Sequence, residues 1–174
     1  MEEPVERFRL VGYVRIDPPL RRAEFEYLTA FAESRRWRRP GGPYAVPDNP
    51  IAECLDPKLD LSEYSLPAEG QPGLHCPWTP GHGGRALVPS HDLAGGNGIP
   101  PAESASWLSY LRDHFLARAA RVNSLSGAPA EWFTGFSFDH VLDGAAAVCS
   151  DQAGELTAIR VVSSAVSTEV LWRG

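Results

Sequence analysis

The sequence has no apolar run long enough to cross a membrane and too few cysteines for a disulfide scaffold. No stretch approaches the roughly 18 apolar residues of a spanning helix. The chain starts with an acidic segment, residues 1–6, where a secretory signal peptide would be basic, so we expect a cytoplasmic protein. Its 3 cysteines cannot all pair with one another, which favours free thiols.

The sequence also lacks an excess of basic charge and a phosphate-binding glycine loop. The net charge is −6, so the protein as a whole does not attract nucleic acid or an anionic membrane. The glycine-rich run at residues 81–84 is not followed by a helical pattern whose N–H groups could hold phosphate. We therefore expect no membrane contact, and contact with nucleic acid would need a local basic patch.

Proline and glycine, in contrast, are concentrated in the middle of the chain. Residues 40–101 hold 12 of the 16 prolines and 10 of the 16 glycines. A loop of this length inside a domain is usually functional or disordered. Apolar residues within it, among them Tyr44, Leu74 and Trp78, are numerous enough to pack against a core. We predict an ordered Pro/Gly-rich loop over 40–101 that carries the binding site.

Apolar periodicity predicts regular structure on both sides of this loop. Apolar residues alternate with others over 8–16, which indicates a half-buried strand. Apolar stripes at helical spacing predict helices over 21–36 and 102–122. From residue 131 the period returns to two, which predicts a four-strand antiparallel meander over 131–172.

Three turns are expected within the meander. Asp143-Gly144 is the sharpest hairpin signal, because type I′ turns favour residues that tolerate positive φ. Further turns are predicted at 151–154 and 163–164. At 174 residues, the chain fits a single two-layer α+β domain, with a mostly antiparallel sheet and two helices on one face. A ferredoxin-like arrangement is the specific expectation if residues 85–88 add a strand from the loop.

Three short motifs resemble a group of small uncharacterised proteins of bacterial and phage genomes. They are the end of the first helix at 28–36, the loop phrase Gly70-Gln71-Pro72-Gly73-Leu74 with Cys76 and Trp78, and Phe138-Asp139-His140. The sequence departs from that group at 89–98, where the group has an acidic, aromatic stretch. The resemblance implies a small accessory or interaction protein and assigns no chemistry.

Aromatic residues in and beside the loop are the leading candidates for a binding site. They could line an apolar pocket, although aromatic side chains equally serve to attach a long loop to a core. The predicted ligand-binding residues are Trp37, Tyr44, Trp78 and Trp107, with His75, Cys76, Arg35 and Arg36. We predict no catalytic residue and no metal ligand, and the sequence does not identify a cofactor.

Two alternatives are less favoured. The first is a zinc- or cysteine-dependent enzyme built on loop residues, with zinc ligands or a cysteine nucleophile drawn from His75, Cys76, His82 and His91, and Cys54 upstream. The short paired spacings of zinc sites and the sequences that flank catalytic cysteines are both missing, so ordinary loop residues are the favoured interpretation.

The second alternative is nucleotide or nucleic-acid contact through Arg35, Arg36, Arg38 and Arg39 around Trp37. Arginines also collect at helix C-termini for reasons of the helix dipole, which is the favoured interpretation here. His114 and His140 each lie beside apolar residues and are expected to be core histidines. We therefore predict a non-catalytic accessory protein that binds a small molecule or a protein partner through the central loop.

Overall fold

A single antiparallel sheet organises the chain. The computed structural model describes residues 6–49, 61–90 and 98–174. Within them six strands pair in the order β2-β3-β1-β4-β5-β6. The strands are β1 (Phe8–Asp17), β2 (Trp78–Gly81), β3 (Ala86–Pro89), β4 (Val141–Ser150), β5 (Glu155–Val162) and β6 (Ala165–Arg173). The predicted α+β class with a mostly antiparallel sheet is confirmed.

Strand β1 lies in the interior of the sheet, and its side chains alternate between the two faces of the sheet. Val14 and Ile16 are buried, as the alternating pattern predicted, whereas Val11 and Tyr13 are about half exposed on the opposite face. On one side β1 pairs with β4 along all ten residues, from Phe8 opposite Ser150 to Asp17 opposite Val141. On its other side it pairs with β3 over two residues only.

Helices cover the face that carries Val14 and Ile16. The described helices are α1 (Arg22–Glu33), α2 (Leu61–Tyr64), α3 (Pro101–Leu111) and α4 (Ala128–Glu131). Phe31 of α1 and Trp107 of α3 expose no surface and share one core cluster with the strand residues. None of the described helices is both long enough and apolar enough to span a membrane.

The second helix is shorter than the predicted 102–122. Regular α-helix ends at Leu111, and a π-helical turn follows over Arg112–Leu116. The chain then leaves the helix at Ala117, which is extended, and a 3-10 turn covers Arg121–Ser124. The apolar stripe continues through Phe115 and Leu116, which remain buried, so the stripe predicted burial correctly and helix length incorrectly.

The meander has three strands, because residues 132–140 form no strand. Their alternating aromatics pack as a cluster, with the ring of Phe133 5.0 Å and that of Phe136 5.6 Å from the ring of Tyr27. Asp143 and Gly144 lie inside β4 and not in a hairpin turn. The turns predicted at 151–154 and 163–164 do separate the last three strands.

The region predicted as a long loop contains regular structure. Helix α2 and strands β2 and β3 all lie within 40–101, and β3 falls where the short strand at 85–88 was predicted. Two stretches of the predicted loop, residues 50–60 and 91–97, lie outside the described residues.

Candidate ligand-binding cleft

Strands β1 and β3 separate beyond two paired residues. Val14 pairs with Leu87 and Arg15 with Ala86, and the same register, continued, would place Tyr13 opposite Val88 and then Gly12 opposite Pro89. Proline has no N–H to donate, so the ladder ends there. Gly12 has φ +110°, a conformation that glycine adopts readily and other residues rarely do. At this glycine β1 stays with β4 and departs from β3.

The separation opens a cleft of about 480 Å³. One wall is the first half of β1, and the other is the end of β3 with the residues that follow it. Among the residues that the structure describes, the lining comprises Phe8, Arg9, Leu10, Val11, Gly12, Pro77, Val88, Pro89, Ser90, Gly98, Ile99 and Ser104. Most of these side chains are apolar, and Arg9 is the one charged residue among them.

The main chain of β1 faces this cleft at every second residue. The N–H of Ile16 donates to the carbonyl of Arg85 on the β3 side, at 2.8 Å, and the carbonyl of Arg7 accepts from Asp151 on the β4 side, at 3.0 Å. Because the direction alternates along a strand, the N–H and C=O groups of Leu10 and Gly12 point toward β3. No strand in the described ranges pairs with them on that side.

Buried residues of the loop phrase hold the wall of the cleft in place. The indole N–H of Trp78 donates to the carbonyl of Ser104, at 2.8 Å, and the thiol of Cys76 donates to the carbonyl of Trp78, at 3.3 Å. The hydroxyl of Ser104 donates to the carbonyl of Ile99, at 3.3 Å. The loop phrase thus supports the cleft from behind, and Pro77 is its residue in the lining.

The predicted aromatic residues lie in the core and not in the cleft. Trp78 and Trp107 are essentially unexposed, and Trp37 exposes 5% of its surface. The hydroxyl of Tyr44 lies 2.8 Å from Nδ1 of His114, away from the cleft lining. Burial, and then the charge of Arg121, lower the pKa of His114 to about 4, so this imidazole is neutral at physiological pH. The four rings attach the loop to the core.

The residues of the metal or nucleophile alternative have separate surroundings. Cys76 is buried, and burial raises its pKa to about 12, which disfavours the reactive thiolate. Nε2 of His75 lies 3.2 Å from Nη1 of Arg35, and burial followed by that guanidinium lowers its pKa. The ring of His82 packs against Tyr13.

Within the described ranges no three His, Cys, Asp or Glu side chains form a group that could hold a metal ion. Two members of this alternative, Cys54 and His91, lie outside those ranges.

Arg36 is a structural residue of the core. It exposes no surface, and its guanidinium donates to the carbonyls of Pro43, at 2.7 Å, and Ala45, at 3.1 Å, and to the hydroxyl of Ser34, at 2.8 Å. Burial lowers its pKa to about 10, so it remains charged at neutral pH. Its guanidinium also lies over the ring of Phe31, 3.9 Å from the centroid.

The other arginines do not form one exposed basic patch with it. Arg39 is 8% exposed and donates to the carbonyl of Arg35, at 2.6 Å. Arg35 donates to the carbonyl of Tyr64, at 3.1 Å, and lies over the Tyr64 ring. Arg38 alone is exposed. A nucleic-acid surface needs accessible guanidinium groups, and two of these four are buried.

A buried cluster of Glu24, Ser137 and His140 has the residue types of a catalytic triad but a different geometry. Nε2 of His140 contacts both Oε1 of Glu24 and the hydroxyl of Ser137, each at 3.0 Å, and Nδ1 lies 2.7 Å from the carbonyl of Pro18. In a triad the two nitrogens contact the acid and the nucleophile separately. The Glu24 and His140 side chains expose no surface, so the cluster is structural.

The pKa values of this cluster favour an ion pair. Burial has the largest effect on the pKa of Glu24 and on that of His140, and it disfavours the charged form of each. At Glu24 the effect of burial is outweighed by hydrogen bonds from His140 and from the main-chain N–H groups of Ser137 and Arg21. These hydrogen bonds lower the pKa of Glu24 to about 2. Hydrogen bonds to Glu24 and to the Pro18 carbonyl outweigh it at His140 and raise that pKa.

The sequence patterns used above did not single out the residues that create the cleft. The signal was present in Gly12, an isolated glycine inside an otherwise alternating strand, which often marks a bulge or a close approach of another molecule. Pro89 at the end of the predicted short strand was a second signal, because proline cannot continue a ladder.

Comparison of the chain with protein-family models, with curated proteins and with solved structures finds no match in any of the three. The similarity to a group sharing the loop phrase at 70–78 therefore stays a prediction. The geometry and chemistry of the cleft are the basis for assigning a function.

Proposed function

We propose that this protein is a non-catalytic accessory protein that binds a ligand with a mostly apolar body in the cleft between β1 and β3. The observation that carries the proposal is the cleft itself. Its volume of about 480 Å³ lies in the range typical of ligand sites, roughly 300–1,000 Å³. Such sites are usually lined by apolar side chains with a small number of polar groups that orient the ligand.

The lining matches that description. Phe8, Leu10, Val88 and Ile99 supply apolar carbon, and Ser90 supplies a hydroxyl, whereas the hydroxyl of the buried Ser104 already donates to the carbonyl of Ile99. Arg9 lies on the exposed face of β1, at the mouth of the cleft. This combination suits a ligand with an apolar body and one end that accepts hydrogen bonds or carries negative charge.

The central loop contributes to this site in a different way from the one expected. Pro77 and the 88–90 segment come from the region 40–101 and form one wall, while the aromatic side chains of that region stay in the core behind it. The proposed role of the loop in binding is therefore retained, with different contact residues.

A ferredoxin-like arrangement is proposed for the first four strands. The support is their spatial order, β2-β3-β1-β4, with all neighbours antiparallel and with α1 after β1 and α3 after β3. That is the β-α-β-β-α-β sequence of the split βαβ motif. Strands β5 and β6 extend the sheet beyond β4.

A ligand screen with one blocked variant tests the binding proposal. Metabolites and fragments are screened against the protein by thermal shift, and hits are confirmed by amide chemical shifts. Val88→Trp places a large ring in the cleft, and Val162→Trp adds the same ring at a position 67% exposed on another strand. We expect hits to bind the Val162→Trp protein normally and the Val88→Trp protein at least about tenfold more weakly.

The ligand-induced changes in amide chemical shift provide a check that does not depend on the variant. Ligand-induced shifts are expected at Leu10, Gly12 and Ile99. Hits that shift only residues far from the cleft, or equal binding to a folded Val88→Trp protein, would refute the proposal. So would a broad screen that yields no ligand at all.

A further inference from the structure

The free edge of β1 limits what can fill the cleft well. The main-chain groups of Leu10 and Gly12 point into it, and within the described residues no strand pairs with them. An apolar molecule that covered these groups would remove them from water without replacing their hydrogen bonds, which carries a free-energy cost. An occupant with its own alternating N–H and C=O groups avoids that cost.

The dimensions suit a short strand. Gly98 lies directly against the main-chain carbonyl of Phe8, so the open part of the edge runs from Leu10 to Gly12. That part extends about 7 Å, which corresponds to about three residues of an extended chain. The opposite wall offers little main-chain pairing, because Pro89 has no N–H and the N–H of Ser90 already donates to the carbonyl of Pro77, at 2.8 Å. An inserted segment would therefore pair with β1 alone.

The positive charge of Arg9, beside the cleft, indicates one further property of the occupant. Arg9 is the one charged residue among the described lining residues, and its neighbour across β4 is the uncharged Cys149. Among the described residues no carboxylate forms an ion pair with it. Arg15, on the same strand face, instead has Asp143 opposite. A carboxylate on the occupant would complement the guanidinium of Arg9.

We propose that the ligand of this cleft is an extended peptide segment that carries a carboxylate, hydrogen-bonds to Leu10 and Gly12 as an added strand, and places its carboxylate at Arg9. This inference rests on the proposed function and names the class of ligand. Addition of a strand to a free sheet edge is a recurrent mode of peptide recognition, in which main-chain bonds give affinity and alternate side chains give specificity.

Hydrogen exchange of the free protein is the first test. The amides of Leu10 and Gly12 should exchange much faster than those of Val11 and Tyr13, which point toward β4. If the Leu10 and Gly12 amides are already protected in the free protein, the edge is occupied by the chain itself and the inference is wrong.

A hexapeptide library is the second test, with alternating valine and random positions and either aspartate or asparagine at the last residue. Aspartate peptides should bind more tightly than their asparagine counterparts and protect the Leu10 and Gly12 amides. N-methylation along a bound peptide should abolish binding at every second residue only, because only alternate N–H groups of a strand face β1. A loss at every position, or at none, would contradict strand pairing.

Arg9→Gln, with Arg15→Gln as the matched control, tests the charge. Arg9→Gln should weaken aspartate peptides about tenfold and remove the preference over asparagine, whereas Arg15→Gln should retain both. Small-molecule hits in the cleft without peptide binding would overturn this inference and leave the proposed function standing. Absence of both kinds of ligand would overturn the two together.

Discussion

Nε2 of His140 lies 3.0 Å from Oε1 of Glu24, with both side chains fully buried. The Pro18 carbonyl beside Nδ1 and the Glu24 carboxylate beside Nε2 are both acceptors. Both ring nitrogens therefore carry protons, and the pair is an imidazolium and a carboxylate. It connects the first turn of α1 to the residue that precedes β4, and thus joins the helical layer to the sheet.

Glu24→Gln should reduce stability in a pH-dependent manner. Because the pKa of Glu24 is lowered from 4.5 to about 2, its contribution is present above 4.5 and is lost as the pH falls toward 2. Because the pKa of His140 is raised from 6.5, its contribution is present below 6.5 and is lost as the pH rises through the raised value. Urea unfolding should show the largest loss between pH 4.5 and 6.5, about 3 kcal/mol.

Glu26→Gln is the control for that measurement. Glu26 lies on the same helix and pairs with Arg22, but its side chain is 60% exposed, so the variant should unfold like the parent protein. The titration of His140 followed by NMR should move to lower pH in Glu24→Gln alone. A Glu24→Gln protein as stable as the parent across this range would disprove the buried pair.

Cys76 should be unreactive in the folded protein. Burial raises the pKa of its thiol to about 12, whereas Cys149 is only partly buried. Iodoacetamide labelling at neutral pH, read by peptide mass spectrometry, should modify Cys149 and leave Cys76 intact until urea is added. Labelling of Cys76 at the rate of Cys149 would show that the packing around Trp78 is open, and would revive the nucleophile hypothesis.

Arg36→Met should destabilise the protein far more than Arg38→Met. The first change removes the hydrogen bonds to the carbonyls of Pro43 and Ala45 and leaves Ala45 without that donor, at a cost of about 3 kcal/mol. Arg38 is exposed, so its replacement should be nearly neutral. Both proteins are compared by urea unfolding. Equal stabilities would mean that Arg36 does not hold the turn over 43–45.

Gly12→Ala tests the bend in β1. A Cβ at this position would lie 2.8 Å from the carbonyl of Ala145 and from Cα of Ala146, and the φ of +110° is strained for alanine. We expect a loss of about 3 kcal/mol. Gly42 has φ +87° but open space around it, so Gly42→Ala should cost only about 1 kcal/mol. Thermal unfolding of the two variants distinguishes contact from strain, and similar values would argue against a close approach at Gly12.

Local sequence patterns predicted the elements whose residues carry a regular local signal. The alternation over 8–16 predicted β1 to within one residue, because the odd-numbered positions are exposed, whereas Phe8 and Leu10 on the other face are half-buried and Val14 and Ile16 are buried. The turns at 151–154 and 163–164 were found because short polar or glycine-containing segments interrupt continuous strands there.

The prediction of a hairpin turn at Asp143-Gly144 was wrong for a physical reason. Gly144 does adopt positive φ, +150°, which is the property that suggested a hairpin. That freedom is used instead within β4, where a Cβ on Gly144 would lie 2.8 Å from the carbonyl of Tyr13. The ten-residue ladder with β1 keeps the strand continuous through this point. A local signal for positive φ cannot distinguish a turn from a close approach between strands.

By itself, the sequence determined the α+β class, the strand and helix that open the fold, and which side chains are apolar enough to be buried. Only the tertiary structure decided that Trp78 and Trp107 are buried in the core, that Arg36 donates to enclosed carbonyl groups, and that an open cleft lies between β1 and β3. Periodicity reports the average environment of a segment, whereas the cleft depends on two residues, Gly12 and Pro89, that are 77 positions apart and become opposite only when the sheet assembles.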